Sequence, residues 1–496
     1  MLLFLVALYL VYDLRDDLRG AAKWAEAKDQ LKKARISIDP KDYLSGPIPD
    51  AQNFGALPIF QFSTDPKSGA PKLAALHQAL DPLSESIYYP SFEKYVPGKL
   101  LDVGDWTKNE ADHMTEVRTQ LEEFCRHAKP AIVVPPSASS SDILGLICPA
   151  FADLRRENQQ RPLCRFDLGF GGPVFRIADK IVEFADGQIE LAKAMSYEET
   201  LAVREGYPQL ALDDLKIGWK IGSGLKEEPA QITALVHLGV AAIHRGVIQD
   251  GLGRHVWNDG QLQELDEGLG ETDFLAEAQF TQRGDFAVYD IPLNERYKGD
   301  PTFWIAESRR LAKEGNVPVK ESFYFWTSIW LWLTPGGSYE EGLADYAPYL
   351  LPGDRQLIDL PSRRVFAERA ANFPPEKADD SARPIPANSW RRAVQYFAFA
   401  QVQTDLARIA CRLERYRLAN GSHPASLDAL APQYGALPHD IMNGQPYHYK
   451  PNSDGSYLLY SVGWNQKDDG GDRGTHNQSD AEKPDWLWPN SADGKS

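Results

Sequence analysis

The sequence is poor in cysteine and has no zinc-binding pattern. Four cysteines occur among 496 residues, and none has the Cys-x-x-Cys or Cys/His spacing that holds zinc. Cys148 and Cys164 are close enough in sequence to form a disulfide if the protein is exported, and buried free thiols are the alternative. The cysteine spacing therefore argues against a zinc site and leaves the disulfide open.

The chain also lacks an excess of positive charge. It has 53 Lys and Arg residues against 70 Asp and Glu residues, a net charge of −17. A surface of that sign repels a phosphate backbone, so we expect no nucleic-acid partner. Apolar residues form 43% of the chain, which excludes a disordered protein, and the length fits roughly two to four compact units.

Long hydrophobic runs are missing too. The longest at the N-terminus has twelve apolar residues, Met1 to Tyr12, whereas a spanning helix needs about 20. No small-residue cleavage site follows, and the run continues into a charged helical pattern, DLRDDLRGAAKWAEAKDQLKKAR. We interpret it as an uncleaved signal anchor whose basic start lies upstream, with a buried helix as the alternative. The anchor predicts a single-pass inner-membrane protein with most of its chain in the periplasm.

Catalytic signatures are absent from the sequence. The serine cluster at Ser137 to Ser141 lacks the GxSxG elbow, and GFGGP does not complete a dinucleotide fingerprint. We interpret the serines as ordinary polar residues of a loop rather than as a nucleophile. The alternative is an extracytoplasmic hydrolase whose carboxylates meet only in the fold, with Glu198 and Glu199, or Asp250 with His255, as acid/base candidates.

Changes in composition divide the chain into four regions. We predict an anchor and stem helix at 1–45, a mixed or loop-rich region at 46–180 that includes the strand-like AIVVPP, a helical domain at 181–385, and an α+β module at 386–496. The predicted fold class is mostly α, a helical bundle or hairpin array ending in that module.

Apolar periodicity is the basis of the helical assignment. The stretch ITALVHLGVAAIHRGVIQDGL repeats apolar residues at spacings of three and four, and Asn258 or Asp259 caps the next helix. His237 and His244 share one face of the first helix, where we interpret them as satisfied or solvent-facing side chains. The aromatic run FYFWTSIWLWLTP predicts a buried helix, or alternatively a patch that faces lipid or a partner. The segment NFPPEKADDSARPIPANSW, rich in proline and charge, predicts a linker.

The C-terminal module begins with a helix. Its predicted apolar stripe runs from Phe399 to Tyr416, it stops at Asn420-Gly421, and the short helix ASLDALAP follows. PYHYK and YLLYSVG then alternate as two strands around a turn at Asp454-Gly455. A long helix followed by a small antiparallel sheet and an acidic loop is an α+β arrangement.

The order of motifs in the C-terminal module resembles that of known protein families. The segments LARIACRLERYRLANGSHPASLDALAP, HDIMNGQPYHYK, YLLYSVGWNQKDDGG and DWLWP resemble the globular head of the major pseudopilins of type II secretion. They resemble still more closely the C-terminal region of a set of uncharacterised, membrane-anchored proteins of Planctomycetes and Verrucomicrobia. PIPDAQNFGALPIF and GLGRHVWNDGQLQELDEGL are similar to the second set as well. The pseudopilin resemblance covers about the last 105 residues and departs from the family in the long segment that precedes them.

The pseudopilin resemblance implies a structural calcium ion in the loop after the second strand. Calcium takes six to eight oxygen ligands in a flexible shell. The positions that match the pseudopilin ligand pattern are Asn465, Asp468, Asp469, Asp472, Ser479 and Asp480. Asn465 stands where the pattern has an aspartate, and Arg473 brings a cation into the loop. The alternative is a solvated acidic turn in which Arg473 pairs with a neighbouring aspartate.

Together these features predict a non-enzymatic, membrane-anchored envelope protein. Its helical middle region would bind a protein partner of the envelope, and its C-terminal head would resemble a pseudopilin. Participation in a secretion machine depends on the pseudopilin resemblance alone.

Overall fold

The structure is a computed structural model. It describes residues 2–65, 71–86, 110–169, 174–299, 305, 309, 337–372, 387–472 and 485–488. The described residues are mostly helical, with a small sheet near the C-terminus, and the mostly α fold class is confirmed.

The helices are named α1 to α14 in chain order over the described residues. Their bounds are α1 Leu2–Lys33, α2 Ala74–Ser86, α3 Glu110–His127, α4 Ser140–Ile147, α5 Ala150–Gln160, α6 Val174–Glu205, α7 Pro208–Leu225, α8 Gln231–Gly253, α9 Asp259–Gly270, α10 Phe274–Asp285, α11 Ile291–Gly299, α12 Gly337–Tyr346, α13 Ala387–Asn420 and α14 Ala431–Tyr434. A π-helical turn, Phe286–Asp290, joins α10 to α11.

Three small antiparallel sheets accompany the helices in the described part of the chain. Strands β1 and β2 form one pair and β3 and β4 another, while β5, β6 and β7 form a sheet in that order. The bounds are β1 Ser63–Thr64, β2 Pro71–Lys72, β3 Ile358–Asp359, β4 Arg364–Val365, β5 His448–Pro451, β6 Tyr457–Ser461 and β7 Trp486–Leu487.

Several local predictions are confirmed. Asn258 caps α9 by accepting from the Gln261 amide, α13 ends at Asn420 before a left-handed Gly421, and the hairpin turn lies between β5 and β6 with Gly455 at positive φ. The segment ASLDALAP forms a 3-10 turn that leads into α14. AIVVPP is not a strand, because no neighbouring segment pairs with it in the described residues.

Helix α13 is the centre of the second half of the molecule. Val402, Leu406, Ile409 and Leu413 of the predicted stripe are fully buried, and so are Ala407 and Cys411 on other faces. The helix contacts β6 and β7 on one side and α8, α9 and α10 on others. The module and the helical region therefore contribute to one shared hydrophobic core, and a second core lies among α2 to α8.

All four cysteines are buried free thiols. Cys148 donates to the Ala79 carbonyl, 3.4 Å away, whereas the Cys164 sulfur packs against Gly224. Cys148 and Cys164 are therefore free thiols in this structure and do not form a disulfide.

Among the described residues, one helix has the length and composition of a membrane span. It is α8, which lies mostly inside the protein in the manner of a core helix. The apolar run from Leu2 to Tyr12 belongs to α1, and its anchoring role stays a prediction. The aromatic run at 323–335 and most of the linker lie outside the described residues.

Helix α1 packs on the body through a stripe with helical spacing. The buried positions are Asp16, Gly20, Trp24, Ala27 and Leu31. Trp24 meets Phe286 edge to face with ring centroids 6.0 Å apart. Spacings of three and four keep these positions on one side of the helix, so α1 docks as a rigid element along that stripe.

The contact between α1 and α12 is unusually close. A Cβ placed on Gly20 would lie 2.1 Å from the Gly337 carbonyl oxygen. The Asp17 carboxylate accepts from the Gly337 amide at 2.6 Å, and Asp16 accepts from the Ser338 hydroxyl at 3.0 Å. Two aspartates of α1 therefore cap the N-terminus of α12.

We predict that Gly20→Ala lowers the free energy of unfolding by roughly 1–3 kcal/mol, because the added methyl forces two backbones apart. The matched control is Gly342→Ala on α12, where a Cβ would meet nothing within 4 Å. That control should gain about 0.5–1 kcal/mol from helix propensity. Denaturant unfolding of both variants measures the difference, and equal stability would contradict the close packing.

Candidate functional site

The predicted calcium loop begins directly after β6. The structure describes Asn465, Asp468, Asp469 and Asp472, whereas Arg473, Ser479 and Asp480 lie outside the described residues. Four of the six predicted ligand positions therefore lie in the described part of the loop.

Hydrogen bonds within the loop occupy its polar side chains. Asn465 donates to the Asp469 carboxylate at 2.9 Å and accepts from the Lys467 amide at 2.9 Å. The Asp468 carboxylate accepts from the Gly470 amide and from the Tyr460 hydroxyl, each at 2.9 Å. The bond from Gly470, followed by that from Tyr460, holds the pKa of Asp468 below its usual range.

The glycines of the loop turn backbone amides inward. Gly470 and Gly471 have φ of 76° and 80°, and the amides of Asp469 and Gly471 donate to the carboxylate of Asp485 at 3.1 and 2.7 Å. Successive amides that converge in this way form an anion-binding nest. Burial raises the pKa of Asp485.

The inward groups are thus donors to an anion, whereas a calcium ion requires oxygens. Among the residues that the structure describes, no group of three or more His, Cys, Asp or Glu side chains is placed to hold a metal ion. The described half of the loop fits the Asp485 carboxylate better than a cation, and calcium binding stays a prediction.

Two variants separate these alternatives. If Asp485 alone organises the loop, Asp485→Asn should lower the melting temperature, because the nest then loses its charged acceptor. Calcium should not shift the melting temperature of the wild type or of this variant. Thermal unfolding with calcium and with chelator measures both effects. A calcium-dependent rise in melting temperature that Asp468→Ala/Asp469→Ala abolishes would instead support the metal site.

A buried ionic network lies between α5, α6 and α7. One guanidinium nitrogen of Arg155 donates to Glu198 at 2.8 Å and to Asp214 at 2.6 Å. Glu198 is 1% exposed and Asp214 is 0% exposed. Two buried carboxyl groups share one cation, so charge balance favours a neutral Asp214. Burial, reinforced by the charge of Glu198, raises the pKa of Asp214 well above its ordinary value.

Two buried histidine and glutamate pairs lie along α8. His244 Nδ1 lies 3.0 Å from a Glu199 oxygen, and His237 Nδ1 lies 2.8 Å from a Glu277 oxygen. All four side chains are buried. Both histidines are therefore core side chains paired with a carboxylate through Nδ1, rather than solvent-facing ones.

The acid/base candidates of the hydrolase alternative are engaged in ion pairs. Glu198 binds Arg155 and Glu199 binds His244. Asp250 accepts from Arg204 at 3.0 Å, whereas His255 pairs with Glu414 at 2.8 Å. Asp250 and His255 therefore interact with different partners, and Glu198 and Glu199 are too buried to meet a substrate in this arrangement.

The serine cluster starts a helix. Ser139 caps α4 in a capping box with Asp142, and the Glu205 carboxylate accepts from the amides of Ser140 and Ser141 at 2.8 and 3.1 Å. The first-turn amides of α4 thus bind a carboxylate from the end of α6. The serines have a capping role, and no histidine is paired with them among the described contacts.

No family model, curated protein or solved structure matches this chain. Its function is therefore inferred from the chemistry of its own residues. Sequence reasoning missed Asp485, Arg155 and Asp214, and the aspartate that precedes the tryptophans in DWLWP is the signal that could have pointed to the first.

We predict that Arg155→Met costs roughly 3–5 kcal/mol of unfolding free energy, because it leaves two carboxyl groups buried without a cation. The matched control is Arg156→Met, whose side chain is 57% exposed and pairs with Asp153, and it should cost less than about 1 kcal/mol. Urea unfolding compares the two, and similar losses would contradict the buried network.

Asp214→Asn should be tolerated, because two buried carboxyl groups share the one Arg155 cation and the amide has the shape of a neutral carboxyl group. The raised pKa makes wild-type stability fall as the pH rises above the ordinary value of 3.8, since the unfolded chain releases its proton first. Asparagine does not titrate, so the stability of the variant should decline less than that of the wild type as the pH rises. Unfolding curves recorded across that range test it, and parallel pH profiles would contradict a protonated Asp214.

Proposed function

We propose that this protein is a non-enzymatic, membrane-anchored component of the cell envelope that holds a protein-binding body outside the cytoplasm. The observation that carries the proposal is α1. Its apolar start and its docked stripe belong to one helix of 32 residues, roughly 48 Å long at 1.5 Å per residue.

The way in which α1 is attached supports a fixed geometry between anchor and body. Arg19 and Lys23 pair with Glu341, and Asp16 and Asp17 cap α12. A helix held by ion pairs, capping bonds and a buried tryptophan transmits the orientation of its first turns to the body. Tyr12, at the end of the apolar run, and Leu14 and Leu18, further along α1, are exposed.

The pairing of the buried acids supports a binding role over a hydrolytic one. An acid/base pair must reach the proton that it transfers, whereas Glu198, Glu199 and Asp214 are 0–1% exposed. Their ion pairs stabilise the packing of α5 to α8. The helical body therefore acts as a framework for a protein partner in the envelope.

The C-terminal part of the proposal is a pseudopilin-like head. A long helix, α13, that packs on a small antiparallel sheet supports it. A structural calcium ion in the acidic loop is part of the resemblance and depends on the result of thermal unfolding with calcium and with chelator.

Membrane fractionation tests the proposal. We expect the full chain to sediment with membranes, to resist extraction by high salt and to dissolve in detergent. Leu5→Lys/Leu8→Lys should release it into the soluble fraction, because charges in a bilayer-spanning helix are costly. Protease added to spheroplasts should digest the wild-type body if it lies outside the cytoplasm.

A matched control carries two lysines on the body. Val133 and Leu146 are 85% and 40% exposed, so Val133→Lys/Leu146→Lys should stay in the membrane fraction. A wild-type chain that remains soluble, or a body protected from protease in spheroplasts, would contradict the proposal.

A further inference from the structure

A small internal cavity lies where α7, α8, the start of α10 and α13 meet. Its volume is about 20 Å³. The polar groups around it include His237, His244, Thr272 and Thr404, and Gly218 of α7 forms part of its wall. A ligand pocket for a small molecule measures about 300 Å³ or more, so this cavity does not hold a substrate.

One ring nitrogen of His244 is left unsatisfied beside this cavity. The residue is 2% exposed, and its Nδ1 atom pairs with Glu199. Its Nε2 atom is buried and has no hydrogen-bond partner in the described part of the chain. Every protonation state of imidazole makes Nε2 a donor or an acceptor, and a buried polar atom left without a partner destabilises the folded chain.

Gly218 lets the imidazole ring of His244 lie directly against α7. A Cβ on Gly218 would lie 2.5 Å from Nε2 of His244, which is shorter than any allowed contact. Gly222 has the same relation to His237, with a Cβ 2.4 Å from its Nε2. Glycines on α7 therefore face histidines on α8 twice, one helical turn apart on α7.

We propose that the cavity is a built water site, in which one ordered water molecule hydrogen-bonds Nε2 of His244. A cavity needs about 10–15 Å³ to hold one water molecule, and a buried water makes two to four hydrogen bonds. Thr272 and Thr404 line the same cavity, and each carries a hydroxyl group of the kind that a buried water uses as a further partner. The water completes the hydrogen bonding of the His244 ring, whose Nδ1 atom already pairs with Glu199, and the site is independent of the proposed membrane role.

A crystal structure of the full chain at 2 Å resolution or better tests the site directly. We expect a density peak within about 3.2 Å of His244 Nε2, and no anomalous signal there after a bromide soak. A dry cavity, an Nε2 atom bonded to a protein group, or a bromide peak that identifies a halide site would each overturn the proposal.

Oxygen-17 relaxation dispersion, which counts long-lived internal waters, gives a second test in solution. Gly218→Ala puts a methyl group where the His244 ring lies, so the ring must move away from the site and the count should fall by one. Gly342→Ala, whose added Cβ would meet nothing within 4 Å, should leave the count unchanged. An unchanged count in folded Gly218→Ala would overturn the proposal, and the crystal structure decides it if that variant does not fold.

Discussion

Carboxylates from distant parts of the chain bind the backbone amides at helix starts, and the packing of the helices depends on these bonds. Glu183 accepts from Leu73 before α2, Glu205 from Ser140 of α4, Asp285 from Gln231 of α8 and Asp17 from Gly337 of α12. The partners are separated by 54 to 320 residues. A helix start offers unpaired N–H groups and a partial positive charge, so each bond satisfies a donor and fixes one helix against another.

The same interaction explains the C-terminal loop. The sequence DDGGD suggests a cage for a cation, because aspartates and glycines are what calcium sites contain. In the structure the glycine turn instead points the amides of Asp469 and Gly471 at Asp485, which lies directly before β7. The loop thereby holds β7 against β6 in the sheet that packs on α13. Trp486 of β7 and Trp488 directly after it are buried. An acidic chain thus uses part of its negative charge to join segments internally.

Local features of this fold were predictable from the sequence and long-range pairings were not. Apolar spacing identified α8 and α13, and an apolar run followed by a charged helical pattern identified α1. Asn258, Gly421 and Gly455 marked a cap, a helix end and a turn, because each depends on neighbouring residues. The burial of α13 on several sides was hidden by polar residues such as Gln401, Asp405 and Glu414, which are buried in hydrogen bonds and ion pairs. Nothing in the spacing of Glu198, Asp214 and Arg155 shows that three helices bring them together.

The most direct test of this account is native-state hydrogen exchange at the amides of Leu73, Ser140, Gln231 and Gly337. Amides at helix starts ordinarily exchange fast, because they have no partner within the helix. We predict that these four are protected nearly as well as the helix interiors, since each donates to a carboxylate from elsewhere in the chain. Exchange as fast as that of an uncapped helix start would contradict the claim that distant carboxylates organise the fold.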